Sequence, residues 1–143
     1  YEAKKRAGVT GKVIGLCHSE RSTERLRKLG FADYVFSADA TKPVAVMEEI
    51  AKLTNGEMCD ITINNVNIPD TEMTSILCTK NTGLVYFFSM ATSFTKAALG
   101  AEGVGSDVKM LIGKGYTKGH AEITLQELRE SKALRDVFTE LYA

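Results

Sequence analysis

Residues 12–17, KVIGLC, and residues 34–37, YVFS, decide the fold class of this chain, together with the amphipathic stretch between them. The apolar residues of the first segment are continuous rather than alternating, which is typical of a strand covered on both faces. Ser19 is a suitable helix cap, and Gly30 is a suitable helix end. This strand–helix–strand order predicts a right-handed crossover and a parallel sheet.

The same alternation continues along the chain. Further strands are predicted at 61–63, 84–88 and 108–112, which makes five. Thr41 is predicted to cap one helix, and Pro69 and Asp70 are predicted to begin another. Residues 91–107 hold at most one short helix, and two helices close the chain. The glycines at 100, 103 and 105 predict a flexible connection rather than a phosphate loop, because no strand precedes them and no helix follows. The pattern therefore predicts an α/β protein with a doubly wound parallel sheet.

The composition excludes several classes of protein and of partner. The 143 residues carry 18 basic and 18 acidic side chains, so the net charge is zero, which argues against a nucleic-acid or polybasic membrane partner. A hydrophobic content of 44% excludes a disordered chain, and no apolar run is long enough to cross a membrane. Three scattered cysteines suggest neither a disulfide framework nor a metal site, and no signal peptide opens the chain. We expect a cytoplasmic protein that acts on a small molecule.

An open parallel sheet binds its ligand beyond the carboxyl ends of the strands. His18 lies there and can contact a ligand or be an ordinary surface residue, and Cys17 can be a reactive thiol or a small buried hydrophobe. Asn64 and Asn65 either cap the following turn or donate hydrogen bonds to a ligand. No Ser–His–acid arrangement is predictable, so no catalytic residue is assigned. The candidate binding residues are Cys17, His18, Ser19, Asn64, Asn65, Val66, Ser89 and Met90, and residues 37–39 end the second strand.

A family resemblance follows from these segments in order. Six segments of the sequence resemble, in order, the nucleotide-binding domain of medium-chain dehydrogenases/reductases, which is a Rossmann-like domain. They are residues 12–16, 24–30, 32–35, 48–56, 59–66 and 83–89. The match covers most of residues 12–90. Residues 1–6 would belong to the helix that follows the family's first strand and glycine-rich turn. The resemblance therefore implies that residues 1–143 are part of such a domain, without that strand. A sheet of order 3-2-1-4-5-6 would then have unpaired strand edges at its centre.

The resemblance implies an NAD(P)-dependent oxidoreductase with NAD as the cofactor. NADP stays possible, because the family's usual acidic ribose ligand is replaced by Cys17, which His18 and Ser19 follow. Asn65 and Val66 would lie on the nicotinamide side, and residues 89–90 would meet the carboxamide. The favoured reaction is oxidative deamination of a diamino acid, with an alcohol or quinone reductase as the alternative. The resemblance also implies a homodimer formed through the edge strand 108–112.

Three rival classes use related sheets. A non-catalytic α/β ligand-binding module would bind no dinucleotide. A receiver domain needs an acidic pair after an early strand and a lysine after the fifth, and a methyltransferase needs an acidic residue after its second strand. Neither Cys17 nor residues 89–90 supply these groups.

Overall fold

The computed structural model describes residues 2–113 and 116–143, which form five strands and seven helices. In chain order these are α1 (Glu2–Ala7), β1 (Ile14–Cys17), α2 (Glu20–Leu29), β2 (Tyr34–Ser37), α3 (Pro43–Thr54), β3 (Cys59–Asn64), α4 (Glu72–Leu77), β4 (Thr79–Phe87), α5 (Phe94–Gly103), β5 (Lys109–Ile112), α6 (His120–Glu130) and α7 (Lys132–Tyr142). In the described ranges no helix is long and apolar enough to cross a membrane.

The strands form two sheets, one of order β1-β2 and one of order β3-β4-β5. The β3–β4 and β4–β5 pairs are parallel. Along β1 and β2, the carbonyl of Val13 accepts from Tyr34 and that of Cys17 accepts from Ala38, so these two strands also run in the same direction. The predicted parallel α/β fold is confirmed. A sheet of order 3-2-1-4-5-6 without its strand 1 would leave the parts 3-2 and 4-5-6, which have the same numbers of strands as the two sheets observed here.

The chain divides into two compact units, one of Tyr1–Leu16, Glu20–Phe36 and Tyr116–Ala143, and one of Cys17–Ser19 and Ser37–Gly115. Ion pairs join the helices of the first unit. The guanidinium of Arg6 in α1 binds the carboxylates of Glu127 and Glu130 in α6. In the same way, Nη2 of Arg25 in α2 lies 2.6 Å from Oε1 of Glu140 in α7.

The second unit has a small apolar core between its sheet and the helices α4 and α5. Val85 and Phe87 alternate inward along β4 and are completely buried, and Ile76 of α4 covers them. Ala97 and Ala101 lie four residues apart on α5, so their short side chains let this helix approach the sheet closely. The core therefore fixes α4 and α5 on one face of β3-β4-β5.

Three local expectations are wrong. Residues 100–103 of the segment predicted as a flexible connection belong to α5, which Ser93 caps by accepting a hydrogen bond from the backbone N–H of Lys96. A methyl group at Gly100 would lie 3.0 Å from the end of the Met73 side chain in α4, so the two helices are close at this point. The cap of α3 is Lys42 rather than Thr41, since the Thr41 hydroxyl is already bonded to Asp39. The strand predicted to start at 84 begins at Thr79, because its polar start pairs with Cys59.

Candidate functional site

The carboxyl ends of β1 and β2 are tied together. The backbone N–H of Ala38 donates to the carbonyl of Cys17 at 2.9 Å, which places His18 and Asp39 directly beyond a paired strand end. His18 and Ser19 are exposed and Cys17 is half-buried, so the two polar side chains of this segment face solvent.

Asp39 supplies a carboxylate at this strand end. It accepts hydrogen bonds from the hydroxyl of Thr41 at 2.7 Å and from its backbone N–H at 2.9 Å. These bonds, with a smaller contribution from the charge of His18, hold the pKa of Asp39 below its usual value. The acidic residue that is usual in the family after this strand is replaced by Cys17, and the structure shows a carboxylate held by two hydrogen bonds after β2. Its signal in the sequence is Asp two residues before Thr, the pattern of an Asx-turn.

The two asparagines after β3 have different surroundings. Asn64 is only 5% exposed, and its amide donates to the hydroxyls of Thr71 and Ser75, both at 2.9 Å. Its side-chain oxygen accepts from the backbone N–H of Val66 at 3.0 Å. Of the two alternatives for this side chain, the structure shows the turn cap. Asn65 is exposed, so it is the amide of this pair that faces solvent.

The carboxyl end of β4 lies beside that of β3, since the N–H of Phe88 donates to the carbonyl of Asn64 at 2.9 Å. Ser89 is half-buried, and its hydroxyl accepts from the N–H of Ala91 at 3.1 Å, which makes a tight turn. Met90 stands on that turn with 92% of its surface exposed. The segment therefore offers a thioether and backbone groups to a ligand.

Most of the predicted residues lie at the carboxyl ends of strands, in two separate sheets. The segments Cys17–Ser19, 37–41, 64–66 and 88–90 all belong to the second compact unit, at the carboxyl ends of its strands or of β1 and β2. Their donors and acceptors are an imidazole, hydroxyls, one carboxylate and one free amide. This set suits the hydroxyl and carboxamide groups of a nucleotide. Across the described residues, no three His, Cys, Asp or Glu side chains are grouped closely enough to hold a metal ion.

The sequence comparisons give a family and two named relatives. Residues 2–117 match the family described as zinc-binding dehydrogenase. L-erythro-3,5-diaminohexanoate dehydrogenase of Acetoanaerobium sticklandii is 60% identical over 142 residues, and the enzyme of that name from Fusobacterium nucleatum is 51% identical over the same length. Each alignment covers 99% of this chain but 41% of the relative, so the chain spans about two-fifths of the length of these curated relatives.

A solved structure shows the same fold. The nucleotide-binding subdomain of the enoylreductase domain of PpsC from Mycobacterium tuberculosis superposes with a TM-score of 0.56 at 16% identity. The alignment covers 97% of this chain and 73% of that one. The likeness confirms the Rossmann-like architecture inferred from the alternation of strands and helices.

Proposed function

Because this chain belongs to the zinc-binding dehydrogenase family, we propose that it forms the dinucleotide-binding part of an NAD(P)-dependent oxidoreductase. The observation that carries the proposal is the identity of 60% to a named dehydrogenase along nearly the whole chain. The arrangement of polar groups beyond the strand ends supports it, since a sheet of this kind binds nucleotides there.

The adenosine ribose would lie at the ends of β1 and β2. His18 and Ser19 offer an exposed imidazole and hydroxyl, and Asp39 offers a carboxylate fixed by its turn. A carboxylate accepts hydrogen bonds from a free ribose 2′-hydroxyl and repels a 2′-phosphate. NAD is therefore our proposed cofactor, in preference to NADP. Cys17 would contribute its backbone there.

The nicotinamide end would lie at the ends of β3 and β4. Asn65 and Val66 form one side of this region, and Ser89 and Met90 form the other, with Asn64 holding the first segment in place. When bound, the nicotinamide ring supplies the hydride acceptor, and the protein holds and orients it.

The reaction that we propose for the whole gene product is oxidative deamination of L-erythro-3,5-diaminohexanoate to 5-amino-3-oxohexanoate. One hydride leaves the carbon that bears the amine and passes to the oxidised cofactor. Water supplies the ketone oxygen, and ammonium and one proton are released, so atoms and charge balance. The names of the two relatives support this substrate, and lysine fermentation is the pathway in which we place it.

Cofactor binding is tested by titrating the complete product of the gene with NADH and with NADPH and following the fluorescence of the reduced ring. We expect NADH to bind at least about tenfold more tightly, which corresponds to roughly 1.4 kcal/mol. Asp39→Asn should reduce the preference for NADH over NADPH. The control is Glu57→Gln, which neutralises an exposed acid outside the strand-end segments and should leave this preference unchanged. If neither nucleotide binds, the proposed function is wrong.

The substrate is tested separately by following NADH formation with the diamino acid, with simple alcohols and, in reverse, with quinones. Turnover of the diamino acid alone is the expected result. If binding of NADH is normal but only alcohols or quinones react, the dinucleotide site stands and the substrate assignment is wrong.

We also propose that two copies associate through β5. Among the strands that the structure describes, β5 pairs with β4 alone, and on β5 Leu111 is 54% exposed and Ile112 is 38% exposed. An open, apolar edge strand is suited to pairing with its own copy across a twofold axis. Light scattering should give the mass of a dimer, and a monomeric mass would contradict the proposal. We place the protein in the cytoplasm, which its three unpaired cysteines support.

A further inference from the structure

We propose that the short helix α4 positions both ends of the dinucleotide site, through the buried side chains of Glu72 and Thr74. This inference rests on the proposed function, because it assumes that the strand ends bind a dinucleotide. Both residues are positioning residues: neither is placed in contact with the cofactor.

Helix α4 is unusual because three of its four buried side chains are polar, and only Ile76 is apolar. Glu72 is 3% exposed, Thr74 is 6% exposed and Ser75 is 5% exposed. Burying a polar group costs free energy unless a hydrogen bond compensates it. Each of these side chains does make such a bond, and Glu72 and Thr74 bond to backbone groups of segments distant in the sequence.

Glu72 holds the segment that follows β4. Its carboxylate accepts a hydrogen bond of 2.6 Å from the backbone N–H of Ser93, which is the cap of α5. Ser93 comes directly after the turn that carries Ser89 and Met90, the residues placed beside the carboxamide, and that turn is closed by the N–H of Thr92, which donates to the carbonyl of Ser89 at 3.3 Å. The carboxylate also lies in the first turn of α4, where the helix dipole favours a negative charge. Loss of this bond should release the nicotinamide end of the site.

Thr74 holds the segment that follows β2. Its hydroxyl donates a hydrogen bond of 2.6 Å to the carbonyl of Ala40. Ala40 lies between Asp39 and Thr41, inside the turn that presents the ribose-binding carboxylate. Loss of this bond should release the adenosine end of the site.

The two bonds therefore act on different parts of one ligand. NADH contacts both ends, whereas ADP-ribose lacks the nicotinamide ring and reports the adenosine end alone. A general loss of stability would weaken both ligands in every variant. The Glu72 variants distinguish the two, because only a positioning role weakens NADH alone; for Thr74, whose loss should weaken both ligands, the Tm makes that distinction.

The experiment measures the Kd of NADH and of ADP-ribose for the complete gene product and its variants, together with the Tm. Glu72→Leu should weaken NADH about tenfold, the effect of losing one hydrogen bond to a charged group, and leave ADP-ribose within about twofold. Thr74→Val should weaken NADH and ADP-ribose by the same factor, about threefold to tenfold. Met73→Leu is the matched control, because it changes the same helix at a half-buried residue whose side chain bonds to neither segment.

Conservative variants test the bonds if the apolar ones do not fold. Glu72→Gln keeps a side-chain oxygen of the same length and should bind NADH almost as wild type does. Glu72→Asp keeps the charge but shortens the side chain by one methylene, so it should bind NADH weakly. Thr74→Ser keeps the hydroxyl and should restore both affinities.

The outcomes separate the two hypotheses. If wild type binds neither ligand, the proposed function fails. If wild type binds both, but the Glu72 variants shift NADH and ADP-ribose equally or shift neither, the positioning role is overturned and the cofactor site stands. A Gln variant as weak as the Asp variant would likewise show that the bond to Ser93 is not what matters.

Discussion

Replacing Asn64 by alanine removes the buried amide that joins the end of β3 to the start of α4. Three hydrogen bonds are lost: the two that the amide donates to Thr71 and Ser75, and the one that its oxygen accepts from the N–H of Val66. A bond of this kind contributes about 1 kcal/mol net, so the variant should lose about 3 kcal/mol of unfolding free energy. Because Asn64 is only 5% exposed, water cannot easily replace the lost hydrogen bonds of Thr71, Ser75 and Val66, and this further lowers the unfolding free energy.

The chain provides its own matched control, since Asn65 is the same residue type at the next position but is exposed. Urea denaturation of the complete gene product should show Asn65→Ala within about 0.5 kcal/mol of wild type. Hydrogen exchange should show faster exchange of the Val66 amide in Asn64→Ala alone. Equal losses in the two variants, or a loss below about 1 kcal/mol for Asn64→Ala, would refute the reasoning that this network holds the turn.

Three further predictions concern other parts of the structure. Gly83→Ala should lose about 1–3 kcal/mol of unfolding free energy in urea, because the new methyl group would lie 2.8 Å from a backbone oxygen, whereas Gly103→Ala has open space and should lose nothing. Cys78 is buried, which raises its pKa to about 12, so a thiol reagent at pH 8 should modify Cys17 and spare Cys78 by mass spectrometry. Hydrogen bonds lower the pKa of Asp39 in the folded protein, so the ionised carboxylate stabilises the fold above the usual pKa of aspartate, and this stabilisation is lost as the pH falls through the lowered pKa. The difference in unfolding free energy between wild type and Asp39→Asn should therefore vanish below the lowered pKa. A difference that persisted in acid would contradict this.

The strands were the most predictable part of the fold. Residues 34–37 form a strand with the predicted bounds, and the continuous apolar run before Cys17 forms another. Both follow from apolar residues that have to be covered. The start of β4 at Thr79 was not predictable, because polar residues there are held in the sheet by their pairing with Cys59. One short helix was expected within residues 91–107, but its extension through 100–103 was not, because glycine disfavours a helix locally.

The candidate site was predictable in position but not in detail. The rule that ligands bind beyond the carboxyl ends of parallel strands located all four segments. The same rule says nothing about side-chain direction, and so it could not distinguish Asn64, which faces the protein, from Asn65, which faces solvent. Glu72 could not be identified at all, because an acidic residue early in a helix is ordinarily exposed and its partner at Ser93 is 21 residues away.

The sequence by itself determined the α/β class, the parallel strands and the segments that follow the strand ends, because these follow from hydrophobic periodicity and strand order, which are local properties. Only the tertiary structure decided that the strands form two sheets, that the Asp39 carboxylate is held by Thr41, and that α4 is bonded to the segments on either side of it. Those features depend on hydrogen bonds between groups far apart in the chain, and such bonds exist only once packing has brought the groups within 3 Å of each other.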